Sequence, residues 1–356
     1  MTRHMTMRVV RGIAAAAVAA SLSATAAALT TAVPVLEGLD GPRGVAAGPA
    51  GRLIYGEIDG AFSELIARGH NAGTARFLGS VPGTYIAPAV ATSGGQTYVL
   101  TAGGPPGSGA ATLYKVSNGN VRALADIQTY QLSDPDPYDL DQPPFPEESN
   151  PFGVAGLRDG SVLVADAAGN DLLRVYPNGR IVTVARLKPR VVPVPPGLPV
   201  GPPAGTPIPS EGVATSVTVG ADGYYYVGEL RGFPATPGTA QIWRIAPDSV
   251  DALCDPDAPA TGACQRYADG FTSIVDLESG PDGALYVVEL AVQSWLVWEL
   301  GGSPVGAVFR IPPGGGAATE LVPGQLILPA GVAVSDGNSV YVSGPVFGPG
   351  ALTRVQ

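Results

Sequence analysis

The stretch Val154-Ala155-Gly156-Leu157-Arg158-Asp159-Gly160-Ser161-Val162-Leu163-Val164-Ala165-Asp166 reads as two short apolar strands joined by an Asp-Gly turn. Asp-Gly between apolar runs is the strongest short-range hairpin signal, because the turn needs positive φ that these residues tolerate. The phrase recurs along the chain. Ser216 to Glu229 repeats it around Gly220-Ala221-Asp222-Gly223, and Asp276 to Glu289 around Gly280-Pro281-Asp282-Gly283. Val45 to Glu57 turns at Gly48-Pro49-Ala50-Gly51. Val90 to Thr101 turns at Gly94-Gly95, and Val332 to Gly344 at Asp336-Gly337-Asn338.

A third apolar strand follows each phrase, as in Asp171-Leu172-Leu173-Arg174-Val175, Gln241-Ile242-Trp243-Arg244-Ile245 and Ala307-Val308-Phe309-Arg310-Ile311. A fourth follows in most units, for example Ile181-Val182-Thr183-Val184-Ala185. One such unit cannot bury both of its faces alone, whereas a ring of them buries each against the next. The expectation is an all-β fold, a six-bladed β-propeller over residues 33–356. The sixth unit ends after its third strand, and Val33-Pro34-Val35-Leu36-Glu37 precedes the first unit without one of its own. That N-terminal strand is expected to join the last blade and close the ring, which removes the free sheet edge.

Composition agrees. The 356 residues include 49 Gly and 36 Pro, charged residues are 14% and hydrophobic ones 45%. Gly and Pro at that density exclude long helices but suit many turns. No Gly-X-Y period exists, which excludes collagen. Two insertions rich in Pro, Gln131 to Ser149 and Lys188 to Gly212, carry the expectation of disorder.

Residues 1–32 read as a secretory signal peptide. Arg3, Arg8 and Arg11 form a positive start, Gly12 to Leu29 is an Ala-rich apolar stretch, and Ala24-Thr25-Ala26 and Thr30-Thr31-Ala32 offer small-residue cleavage sites. The stretch is short of a strongly apolar span, so no stable membrane span is expected after cleavage. Its loss removes three of the 20 basic residues and none of the 30 acidic ones. Such a surface repels nucleic acid and anionic membranes. Cys254 and Cys264, an even pair in an exported chain, are expected to form a local disulfide. The protein is therefore expected to be secreted and extracellular, and monomeric.

In a four-stranded blade, the connections from strand two to three and from strand four to the next blade share one face. On it fall Ala102 to Ala110, Gln131 to Ser149, Lys188 to Gly212, Leu230 to Gly238, Leu290 to Pro304 and Pro345 to Gly350. Long loops on one side of a rigid scaffold mark the side that is used. The second strands end at Glu57, Thr101, Asp166, Glu229, Glu289 and Gly344, four of them acidic. Facing one another near a central channel, such carboxylates would call for Ca²⁺ or a cationic ligand. The alternative is that each acid caps its own turn. Asn150, entering the third blade, is placed at the channel mouth, so the ligand-binding set is Glu57, Asp166, Glu229, Glu289 and Asn150.

The acids Asp134, Asp136, Asp139, Asp141, Glu147 and Glu148 read as a solvated insertion, since the Gly of a calcium loop is missing. Trp295 and Trp298 form an apolar insertion on the loop-rich face, either packing across a blade or serving as a lid or partner contact. Only His4 and His70 occur, which excludes a histidine dyad or multi-histidine metal centre. A quinone-cofactor sugar dehydrogenase, which wants a histidine base and basic residues near its cofactor, finds neither in evidence.

The phrases Asn150-Pro151-Phe152-Gly153-Val154-Ala155, Val164-Ala165-Asp166-Ala167-Ala168-Gly169-Asn170-Asp171, Tyr226-Val227-Gly228-Glu229-Leu230-Arg231-Gly232-Phe233-Pro234 and Gly270-Phe271-Thr272-Ser273-Ile274-Val275-Asp276-Leu277 resemble the ScyD/ScyE family. These are exported NHL-like propellers named after genes of the scytonemin cluster. The segment from Pro189 to Pro209 and the surroundings of Trp295 depart from that pattern. The resemblance implies fold and export; it carries over no catalytic residue. The functional expectation is a binding or scaffold module for a small molecule or protein, using its acidic loop-rich face. The second expectation, by fold-level analogy, is a calcium-dependent lactonase or esterase with Glu57, Glu229, Glu289 and Asn150 as ligands.

Overall fold

Alternating apolar runs that bury both faces need sheets on both sides, and the chain supplies them in a ring. The structure, a computed structural model, describes residues 31–67 and 69–356. The expected leader, residues 1–32, lies outside the described residues apart from Thr31 and Ala32. No helix among the described residues is long and apolar enough to cross a membrane.

Six sheets form the blades, each with four antiparallel strands, and the third carries one further strand. Blade 1 runs Val45–Gly48, Arg52–Gly56, Ala61–Ile66 and Ala75–Ser80 from the axis outward. Blade 2 runs Ala89–Ser93, Gln96–Leu100, Thr112–Ser117 and Asn120–Asp126. Blade 3 runs Pro151–Gly156, Val162–Asp166, Asp171–Val175 and Ile181–Leu187. Blade 4 runs Gly212–Val219, Tyr225–Arg231, Ala240–Ile245 and Cys264–Phe271. Blade 5 runs Ile274–Ser279, Leu285–Glu289, Val305–Ile311 and Thr319–Ile327. Blade 6 runs Gly331–Val334, Val340–Gly344 and Pro349–Arg354, and its outer strand is the N-terminal Val33–Asp40. Val33 pairs with Arg354 and Glu37 with Ala351, so the ring closes as expected.

One apolar cluster fills each seam between blades. Leu163, Val227 and Trp243 pack between blades 3 and 4, and Tyr286, Val308 and Val342 between blades 5 and 6. Leu53, Tyr341 and Leu352 seal the closing seam between blades 6 and 1. Glycine lets the blades approach near the axis. A Cβ on Gly331 would lie 2.1 Å from the Arg43 carbonyl oxygen, and one on Gly44 would lie 2.4 Å from that of Pro88. At these positions the reason for glycine is close backbone approach, not a positive φ.

Two insertions differ from expectation. Lys188 to Gly212 contains an ordered hairpin, Arg190–Pro193 against Pro207–Ser210. Its Val192 and Val194 are buried, which supplies the apolar anchor that the Pro-rich composition concealed. Gln131 to Ser149 is not a uniformly solvated loop. Asp134 bonds Thr183 and sits 2.5 Å from Arg186, while Asp136 is 5% exposed and accepts from Asn170 at 2.8 Å. Fixed donors on blade 3 replace the water that these acids would otherwise need.

The Cys254–Cys264 disulfide forms as expected. Ala252–Cys254 adds to blade 3 as a fifth strand, parallel to Ile181–Leu187, while Cys264 opens the outer strand of blade 4. The bond therefore ties two blades together.

Candidate functional site at the channel mouth

The first strands of all six blades wall a central cavity of about 310 Å³. Strand alternation turns every second residue of a first strand toward this lumen. Most of the wall is small and apolar, such as Ala46, Ala89, Ala91 and Val154. Four of its residues are charged: Arg43, Asp276 and Glu278 within the ring, and the exposed Asp336. Arg43 comes from the Gly41 to Gly44 link between the closing strand and blade 1. It is 2% exposed, and its guanidinium stacks on the Phe152 ring at 3.6 Å. One nitrogen donates to the Ala87 carbonyl at 3.2 Å and another to that of Phe152. Burial lowers its pKa to about 10, so it remains charged at neutral pH.

Asp276 accepts from the Val332 N–H at 2.7 Å and the Leu277 N–H at 3.0 Å, linking blade 5 to blade 6. Burial pushes its carboxyl up to about 7, against the pull of those bonds and of Arg43. Glu278, two residues on, is pushed up to about 8 by burial and by Asp276. Both keep partial surface, because the lumen reaches them although they lie deep in the ring.

Above the channel, on the loop-rich face, lies an apolar bowl of about 240 Å³. Phe152, Val275 and Ala330 line both the bowl and the channel. Tyr85, Leu290, Trp295, Trp298 and Phe347 form much of its wall. Trp295–Glu299 is a single helical turn, capped by Ser294, whose side chain accepts from the Val297 N–H. It is held by both neighbouring blades. The Trp295 indole N–H donates to the Arg231 carbonyl at 2.8 Å, and Trp298 stacks on Phe347 at 5.6 Å with the rings 8° from parallel. Trp295 and Trp298 thus pack across blades, one of the two readings of the sequence, and they also line a cavity.

The four strand-ending acids do not line the channel or the bowl; the second strands stand one layer back from the axis. Each is held by local donors. Glu57 accepts the Asp40 N–H at 3.0 Å, Asp166 that of Asn150 at 2.7 Å, and Glu289 that of Thr272 at 2.6 Å. In all three cases the donor is on the chain about to enter the same blade, so the acid fastens the blade's entry. Asp166 also accepts from Ser149 and Gln131. Glu229 pairs with buried Arg231 and accepts from the Gln241 N–H and the Trp243 indole, each at 3.0 Å. Burial still pushes Glu229 and Asp166 upward, and Glu289 to about 7.

Of the expected set, Asn150 alone lines the bowl; its Oδ1 accepts from the Tyr85 hydroxyl and the Gly103 N–H, each at 3.0 Å. Among the described residues no group of three or more His, Cys, Asp or Glu side chains is placed to hold a metal ion. The expected ligands Glu57, Glu229, Glu289 and Asn150 do not fit Ca²⁺, since backbone, indole and guanidinium donors already hold them.

Arg43 was hidden from the repeat reading because that reading began one residue after Gly44. The signal exists. Gly41-Pro42-Arg43-Gly44-Val45, Asn150-Pro151-Phe152-Gly153-Val154 and Leu328-Pro329-Ala330-Gly331-Val332 share a Pro-x-Gly-Val entry, and x is Arg43, Phe152 or Ala330, all at the axis.

No family model matches the chain, and no curated protein matches it. Solved structures do. A glucose dehydrogenase matches at 15% identity with a TM-score of 0.56, over 92% of this chain and 99% of that one. A gluconolactonase from Xanthomonas campestris matches at 10% identity with a TM-score of 0.53, over 91% and 89%. The chain is thus a six-bladed β-propeller similar in fold to these enzymes. At such identity the likeness shows the fold alone, and their named activities differ from each other.

Proposed function

We propose that this is an exported, ScyD/ScyE-like binding protein that takes the apolar body of a small ligand in the bowl at the channel mouth. The observation that carries the reading is the bowl itself. A concave, aromatic-lined site on the axis, built from rigid blade ends and one helical turn, is the usual form of a small-molecule site. Its volume is below the roughly 300 Å³ at which typical drug-sized sites begin, which suits a body of one or two rings. Export is supported by the leader pattern and is consistent with the disulfide. The acid excess argues against nucleic acid and anionic membranes as partners.

The test is a titration with N-phenyl-1-naphthylamine, a neutral probe that brightens in apolar sites. One saturable site is expected. Trp298→Ala removes a stacked indole worth about 1.5–3 kcal/mol of buried contact, so affinity should fall by about ten- to a hundredfold in a variant that melts normally. Absence of saturable binding, or equal affinity in Trp298→Ala, contradicts the reading.

A further inference from the structure

Arg43 is the feature that an apolar bowl alone leaves unexplained. A buried cation is normally paired, because an uncompensated charge away from water is costly. The other deeply buried arginine among the described residues obeys this rule: Arg231 pairs with Glu229. Arg43 does not. Among the described residues no ion pair includes it, its two bonded nitrogens face neutral carbonyls, and its buried Nε–H has no partner. The acid that faces it, Asp276, has both oxygens occupied by backbone N–H groups and is held toward its neutral form by burial. The other titratable groups here are Glu278 and Asp336 on the channel and Tyr85 and Glu299 on the bowl, and neither Asp336 nor Glu299 pairs with Arg43.

The position adds the second half of the argument. Arg43 stacks on Phe152, and Phe152 lines the bowl as well as the channel. A ligand whose rings lie among Trp295, Trp298 and Phe347 meets the axis beside a cation with an unused donor. We propose that the ligand is an aromatic carboxylate, with its one- or two-ring body in the bowl and its anionic end received by Arg43. This rests on the bowl being the ligand site. The chemistry is that of a charge-assisted hydrogen bond in a water-poor place, where it gains strength and discriminates against an uncharged isostere.

The experiment compares 2-naphthoate with 2-naphthamide, which differ in charge and hardly in shape, by titration calorimetry on the purified protein. The acid is expected to bind at least about tenfold tighter than the amide, in line with a charged hydrogen bond. In Arg43→Gln the gap should close while amide binding stays. Equal binding of acid and amide by the unaltered protein, or tighter amide binding, overturns the anion assignment and leaves the bowl reading standing. A gap that persists in Arg43→Gln overturns it too. If neither compound binds while N-phenyl-1-naphthylamine still saturates its site, the carboxylate assignment falls and the bowl reading stands; if the probe does not bind either, the bowl reading itself falls. Should Arg43→Gln fail to fold, Arg43→Lys keeps the charge and is expected to keep the preference for the acid; its loss there counts against the proposal, and the acid-to-amide ratio of the unaltered protein needs no variant.

Discussion

Asp276 and Glu278 stand two residues apart on one strand, so both face the lumen. Their carboxyls are raised to about 7 and about 8, chiefly by burial. A group whose folded pKa exceeds its unfolded one binds more protons when folded. Its contribution is therefore present at low pH and is lost as pH rises through the folded value. Asp134, Asp159 and Asp222 shift downward through hydrogen bonds and arginine partners, against burial, and oppose this only in acid. The melting temperature should thus fall from about pH 5.5 to about pH 8.5, and Glu278→Gln should flatten the slope. An unchanged slope in Glu278→Gln would show that the titration lies elsewhere. The alternation that places these two acids was legible in the repeat. What was not legible is which charges meet them, since that depends on what the other five blades bring to the axis, Arg43 among it.

At the scale of elements, the hairpin phrases were readable because turn chemistry and strand alternation are local. The insertions were not. Whether Asp134 and Asp136 meet water or blade 3 depends on Thr183, Arg186 and Asn170, which lie tens of residues away. The same holds for the cysteine segment. Spacing announced the bond, but only the sheet shows that Ala252–Cys254 joins the neighbouring blade. Closing a loop of this length is worth about 2–3 kcal/mol in the chain-entropy model. Cys254→Ser with Cys264→Ser should lower unfolding stability by about that amount in a urea titration. Because the bond spans a seam, the unfolding should also lose cooperativity between blades 3 and 4. A double variant with unaltered stability would mean that the parallel strand, not the bond, holds the seam.

The whole molecule explains why the strand-ending acids suggested a central site and why they do not make one. Aligning the repeats correctly identified equivalent positions, but equivalence around a ring does not mean proximity to its axis. The second strands form the layer behind the wall, and there Glu57, Asp166 and Glu289 each fasten the entry of their own blade. The axis belongs to the first strands and to the residues just before them, which brings Arg43, Phe152 and Ala330 together from blades 1, 3 and 6. The closing strand Val33–Asp40 matters here as well, because it delivers Arg43 to the centre. The central claim is that the bowl over this axis is the ligand site. The most direct test is a crystal structure of the protein with 2-naphthoate. The account predicts rings between Trp298 and Phe152 with the carboxylate toward Arg43; an empty bowl with the ligand bound at another face would contradict it.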